Sequence, residues 1–138
     1  MPASRHVIRR TPRVALPRLL AIRPRRARSA SQAAAHKRAL KRATLRDCSR
    51  RCVYCGSALD LDSATLDHVQ PLARGGAHTP GNVVSACGPC NRRKGDLLPH
   101  EFFVRYPNAG LNFLLYARIV HRALKRSARR AVSLAMAA

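Results

Sequence analysis

The sequence has no tryptophan, and aromatic residues make up only 4% of its 138 positions. That excludes a large aromatic-rich core. Acids are scarce as well: 6 Asp and Glu stand against 27 Lys and Arg, for a formal net charge of +21. Self-repulsion on this scale opposes a compact state unless a polyanion neutralises it. Nucleic acid is therefore the first partner to consider, and an anionic membrane surface the second. No apolar run approaches the roughly 20 residues that span a bilayer, which excludes an integral membrane protein. Nothing in the first 30 residues reads as a secretory signal, because Arg recurs throughout them. The length leaves room for one domain with tails.

Cysteine is present in a pattern. Cys52 and Cys55 form one Cys-x-x-Cys pair, Cys87 and Cys90 a second, and Cys48 stands apart. Without secretion, such pairs point to metal more than to disulfides. Each pair lets two thiolates approach one ion from a tight turn, and four sulfurs in a tetrahedron suit Zn²⁺. Gly56 and Gly88 ease the two chain reversals. The spacer over 56–86 is long enough for a hairpin. A short module with a thin core needs such a staple, and the zinc has no open position for catalysis. Cys48 reads as a free thiol.

Charge and proline divide the chain into four segments. Residues 1–30 hold four prolines among Arg and no acid, which predicts an extended, disordered basic arm. The same composition suits a mitochondrial transit peptide, the minor alternative to a bacterial or phage-type cytoplasmic protein. Residues 31–50 predict a basic helix over about 32–46 with Ser31 as N-cap. Residues 51–106 are nearly charge-balanced and contain both Cys pairs, so they form the folded module. Strands are expected over 64–69 and 82–85, then helices over 89–94 and 99–104. Pro107 to Gly110 reads as a break. Residues 107–138 carry a last basic amphipathic helix over 111–130, with Leu111, Leu114, Leu115, Ile119 and Leu124 on one stripe. That stripe would pack on the module, on a second copy as a homodimer, or in a larger assembly.

Between the Cys pairs run Leu66-Asp67-His68-Val69, Arg74-Gly75-Gly76 and Asn82-Val83. The second pair continues into Asn91-Arg92-Arg93-Lys94-Gly95. In residue type, order and spacing this resembles the cysteine-knuckle branch of the HNH endonuclease family. The resemblance covers roughly residues 51–101. It implies an α+β fold, a small ββα-metal (His-Me finger) module stapled by the four-cysteine zinc site. It also implies cleavage of DNA phosphodiester bonds with one divalent ion, leaving 5′-phosphate and 3′-hydroxyl ends. Carried over residue by residue, His68 is the general base, Asn82 holds the loop and orients that base, and Asp67 is the acidic metal ligand. The third motif position, often His in the family, is Asn91 here, and it becomes the second metal ligand.

The chemistry supports these roles on its own terms. Hydrolysis needs a nucleophile activated near neutral pH and positive charge opposite the phosphoryl oxygens. Histidine has a suitable pKa. A carboxylate with an amide oxygen makes an open hard-oxygen site suited to Mg²⁺ or Mn²⁺. Arg74, Arg92, Arg93 and Lys94 flank it and are expected to bind DNA phosphates. Asp67 and His68, as neighbours on a strand, would face opposite sides, so the strand must end or twist there. The competing reading is a non-catalytic zinc-stabilised module that binds nucleic acid, or an accessory subunit of a restriction or phage-packaging assembly.

Overall fold

Proline does not occur between Pro24 and Pro71, so nothing in that stretch forbids helix. The computed structural model, which describes residues 25–138, opens with helix α1 over Arg25–Asp47. The helix thus starts six residues before the expected Ser31 cap. The Arg, Ala and Ser residues that follow Pro24 all tolerate helix. The rest of the expected basic arm lies outside the described residues. Residues 29–39 of α1 are exposed on every side, while Thr44 and Leu45 are buried. Ser49 and Arg50, both with positive φ, turn the chain into the first cysteine knuckle.

The sheet has two antiparallel strands, β1 over Ala64–His68 and β2 over Val83–Cys87. Asp67 lies opposite Val84 and His68 opposite Val83. Helix α2, Gly88–Lys94, follows β2 with Pro89 in its first turn and stops at Gly95, which has φ +50. Gly88 does not form a positive-φ reversal, as the sequence suggested; it opens α2 instead. Strand, strand and helix stand in the expected order and build an α+β module.

Helix α3, Pro99–Arg105, starts where Glu101 accepts a hydrogen bond from the Leu98 amide at 2.7 Å. Two expectations fail beyond it. Pro107 does not break the chain but opens helix α4, Pro107–Tyr116; proline is well suited to a first helical turn. Gly110 sits inside α4 because a Cβ there would lie 2.3 Å from Val132 Cγ2. The single helix expected over 111–130 is split, with α5 running over Arg122–Ala137. At the split the His121 amide donates to Gly81 O at 2.9 Å. A long-range bond thus takes the donor that a continuous helix would use.

The three phenylalanines gather on Tyr54. Phe102 meets its ring edge-on at 5.2 Å, Phe113 stacks at 6.3 Å, and Phe103 packs between them. Ala128, Ala131 and Val132 of α5 close this core. The expected stripe faces elsewhere: Leu111, Leu115 and Ile119 are exposed, and only Leu114 and Leu124 are partly covered. Both flanks therefore contribute to one core, α1 through Leu45 and the C-terminal helices through their alanines and aromatics. No helix among the described residues is long and apolar enough to cross a membrane.

Candidate metal centre and active site

Cys52, Cys55, Cys87 and Cys90 converge as the spacing predicts, with all four sulfurs within 4.8 Å of one another. Cys55 and Cys87 sulfurs are 3.8 Å apart. A tetrahedron with Zn–S bonds of about 2.3 Å has edges near 3.8 Å, so the Cys55–Cys87 pair already stands at that edge length. Burial pushes the Cys52 thiol up, against amide donors from Cys87, Cys55 and Tyr54. Burial would also raise Cys55, but the Ser57 hydroxyl and amide outweigh it and bring that thiol to about 7. Burial and the neighbouring sulfurs hold Cys90 far above the ordinary thiol range. Four sulfurs crowded together cannot all ionise alone; a divalent cation would relieve this. Cys48 is buried outside the cluster as a free thiol.

The second knuckle runs straight into α2, which lies across the face of β1 that carries Thr65 and Asp67. Asn91 Nδ2 donates to Thr65 Oγ1 at 3.0 Å and to Leu66 O at 3.4 Å. A carbonyl only accepts, so this contact orients the amide and leaves Asn91 Oδ1 free for a cation. Asp67, His68 and Asn91 line one cavity of about 390 Å³, together with Asp96. The difficulty of adjacent strand residues is solved by position: β1 ends at His68, and the cavity lies at that end.

Asp67 is buried and fully engaged. The Tyr54 hydroxyl donates to its Oδ2 at 2.5 Å, and Lys94 Nζ lies 3.3 Å from Oδ2 and 3.4 Å from Oδ1. Lys94 also donates to His68 O at 2.8 Å. Burial raises Asp67 above the usual carboxylate range, with Lys94 pulling the other way. Burial likewise lowers Lys94, opposed by Asp67. Desolvation thus outweighs pairing on both sides. Burial, then the Asp67 charge, keeps the Tyr54 phenol well above its ordinary value, so it stays protonated and donates. Among the expected DNA contacts, Lys94 must be corrected. Its side chain is 0% exposed and neutralises Asp67, so it is closed to phosphate.

Asn82 is buried and ties the loop between the strands. Its Nδ2 donates to Gln70 O at 2.9 Å and Ala77 O at 2.8 Å, and its Oδ1 accepts from the Gln70 amide at 2.8 Å. It touches the loop and not the imidazole. His68 Nε2 instead meets His78 Nδ1 at 2.7 Å. Burial, then His78, lowers His68 below the ordinary histidine value, against the pull of Asp67. Of the arginines, Arg92 and Arg93 lie exposed on α2, with Arg93 over the Tyr106 ring at 5.5 Å. Arg74 is 3.6 Å from Glu101. Sequence reasoning missed Tyr54, Lys94 as the partner of Asp67, and His78. Tyr54 and His78 lie far along the chain from Asp67 and His68, and no local signal marks them.

A four-sulfur clasp, a two-stranded hairpin and a helix bearing Asn91 now stand together. Residues 52–97 match the HNH endonuclease family. The match begins at Cys52, the first cysteine of the cluster, and ends at Leu97, just past α2. Among curated proteins, the CRISPR-associated endonuclease Cas9 of Corynebacterium diphtheriae is 38% identical over 47 residues, 33% of this chain and 4% of that protein. Cas9 of Actinomyces naeslundii is 39% identical over 46 residues, again 33% of this chain and 4% of that protein. The chain therefore corresponds to a small fraction of those relatives. A crystal structure of the Type II-C Cas9 from Actinomyces naeslundii aligns with 79% of this chain and 14% of its own, at 20% identity and a TM-score of 0.49.

Proposed function

We propose that this chain is a metal-dependent endonuclease that hydrolyses DNA phosphodiester bonds. The single observation that carries the reading is the convergence of His68, Asp67 and Asn91 on one open cavity. Nucleic-acid binding alone requires none of these. Asp67 and Asn91 would hold a divalent ion, Mg²⁺ or Mn²⁺, which supplies positive charge opposite the phosphoryl and leaving oxygens. His68 takes the proton of the attacking water. Its lowered proton affinity keeps it in the neutral, basic form at neutral pH. In-line attack with departure of the 3′ oxygen leaves a 5′-phosphate and a 3′-hydroxyl.

Arg92 and Arg93, on the same helix as Asn91, and Arg74, on the loop after β1, would bind phosphates of the nucleic-acid strand. Helix α1 offers Lys37, Arg38 and Arg42 on exposed positions. These add affinity that depends on charge and not on base sequence. Zinc in the cysteine cluster has an indirect role: Cys87 and Cys90 set the start of α2, hence the direction of Asn91. The exposed Leu134 and Met136 of α5 support self-association or assembly through the C-terminal helix. A bacterial cytoplasmic setting is supported by the bacterial origin of the matched relatives.

One observation favours the alternative of a zinc module that binds DNA without cutting it. Both oxygens of Asp67 are already engaged by Tyr54 and Lys94. Plasmid cleavage by the full chain with Mg²⁺, Mn²⁺ or chelator, beside His68→Ala, separates the two readings. His68→Ala is expected to keep zinc and DNA affinity while losing cleavage by about 10²–10⁴-fold. Equal cleavage by both proteins would remove His68 from the mechanism, and no cleavage by either would favour the binding module.

A further inference from the structure

His78 sits on the loop over 69–82, exposed and with no charged motif around it. The loop nevertheless gives it little freedom. Asn82 grips the carbonyls of Gln70 and Ala77, and the Gly76 amide donates to Pro71 O at 2.9 Å. A Cβ at Gly76 would lie 1.9 Å from Gln70 O, so the chain passes there only because that residue is glycine. The pinned carbonyl of Ala77 belongs to the residue just before His78. The imidazole that follows lands with Nδ1 2.7 Å from His68 Nε2, the ring centroids 5.0 Å apart and the planes at 47°.

A contact of that length between ring nitrogens is a hydrogen bond, with one nitrogen protonated and the other bare. Turning the His68 ring over would put a carbon where Nε2 now meets His78 and lose the bond. When Nε2 of His68 is the donor, its Nδ1 carries a lone pair and no proton. Nδ1 has no hydrogen-bond partner among the described residues. A catalytic base oriented by a third group is a recurrent arrangement. Here the third group is a second imidazole, which adds no negative charge beside the phosphate.

We propose that His78 is a positioning residue that holds the His68 imidazole in one ring orientation and one tautomer, with Nδ1 presented as the base. The proposal rests on the reading of His68 as that base. It also gives Asn82 a route to His68, through the loop and His78 and not by contact.

The test uses the zinc-loaded full chain. His78→Ala is expected to lower kcat for plasmid cleavage about 10–100-fold, the range seen when a supporting partner of a functional group is removed. KM, zinc content and thermal midpoint should stay unchanged. His78→Asn places an amide oxygen near the position of Nδ1 and should recover most of the loss. In ¹⁵N-histidine-labelled protein without DNA, a scalar coupling across the hydrogen bond should link His68 Nε2 to His78 Nδ1. Wild-type rates in His78→Ala, an Asn variant as slow as the Ala variant, or no coupling would each overturn the proposal. If the wild type does not cut at all, the nuclease reading fails first. The coupling then decides by itself whether the two rings are locked together.

Discussion

The most consequential single residue is Lys94, because it is the buried counter-charge of a buried carboxylate. Its ammonium reaches both Asp67 and the His68 carbonyl, so it holds together the two residues at the end of β1. Lys94→Met leaves the carboxylate buried without its cation, which typically costs about 3–5 kcal/mol. Urea unfolding with zinc present should show a loss of that order. Adding Asp67→Asn should recover a large part of it, because no unpaired charge remains. Full additivity of the two losses would mean the side chains do not interact. In the sequence Lys94 reads as one of three consecutive bases on a helix. Only the folded chain distinguishes it from Arg92 and Arg93, because α2 turns that one position toward the sheet. His78 is a similar case. A histidine in a Gly-rich loop has no periodicity to mark it, and its meaning comes entirely from the ring it meets.

At the scale of elements, the cleanest sequence signals are those where chain chemistry leaves few choices. Cys-x-x-Cys, Pro89 followed by a stop at Gly95, and the apolar runs around Asp67 and Val83 all produce the elements they suggest. Where packing decides instead, the reading fails, as at Gly110 inside α4 and at the split before α5. Helix α3 gives a pH prediction. The Leu98 amide, then Arg74, holds Glu101 below its ordinary carboxyl value of 4.5. A depressed carboxylate adds stability above the unfolded value and loses it as pH falls through the folded one. Glu101→Gln should therefore be less stable than wild type at about pH 7, and the difference should narrow as pH falls below the unfolded value. In urea titrations, a deficit that stays constant as pH is lowered, over the range in which zinc remains bound, would show that ionisation of Glu101 plays no part.

At the scale of the whole molecule, the four-cysteine cluster and the net charge act against each other. The described fold has one core with only four aromatic rings at its centre, and the chain carries +21. A metal held by the four sulfurs would join the first knuckle to the end of β2 and offset that repulsion by binding energy that is also folding energy. Removing zinc with a strong chelator, or replacing Cys87→Ser, should abolish the cooperative thermal transition. Metal analysis should show the zinc lost with it. A Cys87→Ser protein that binds no zinc yet melts at the wild-type temperature would show that the cluster does not hold the fold.

The sequence by itself determined the four-cysteine cluster and the strand–strand–helix order, and it singled out Asp67, His68, Asn82 and Asn91 as candidates. Each of these is written locally, in short spacings and in residue types with few alternative uses. The tertiary structure alone decided which groups those residues meet: Tyr54 and Lys94 on Asp67, His78 on His68, Thr65 and the Leu66 carbonyl on Asn91. Such pairings are made across tens of residues by packing of α2 and the loop on the sheet. Hydrogen bonds and desolvation act over a few ångströms of space, and no pattern along the chain records that distance.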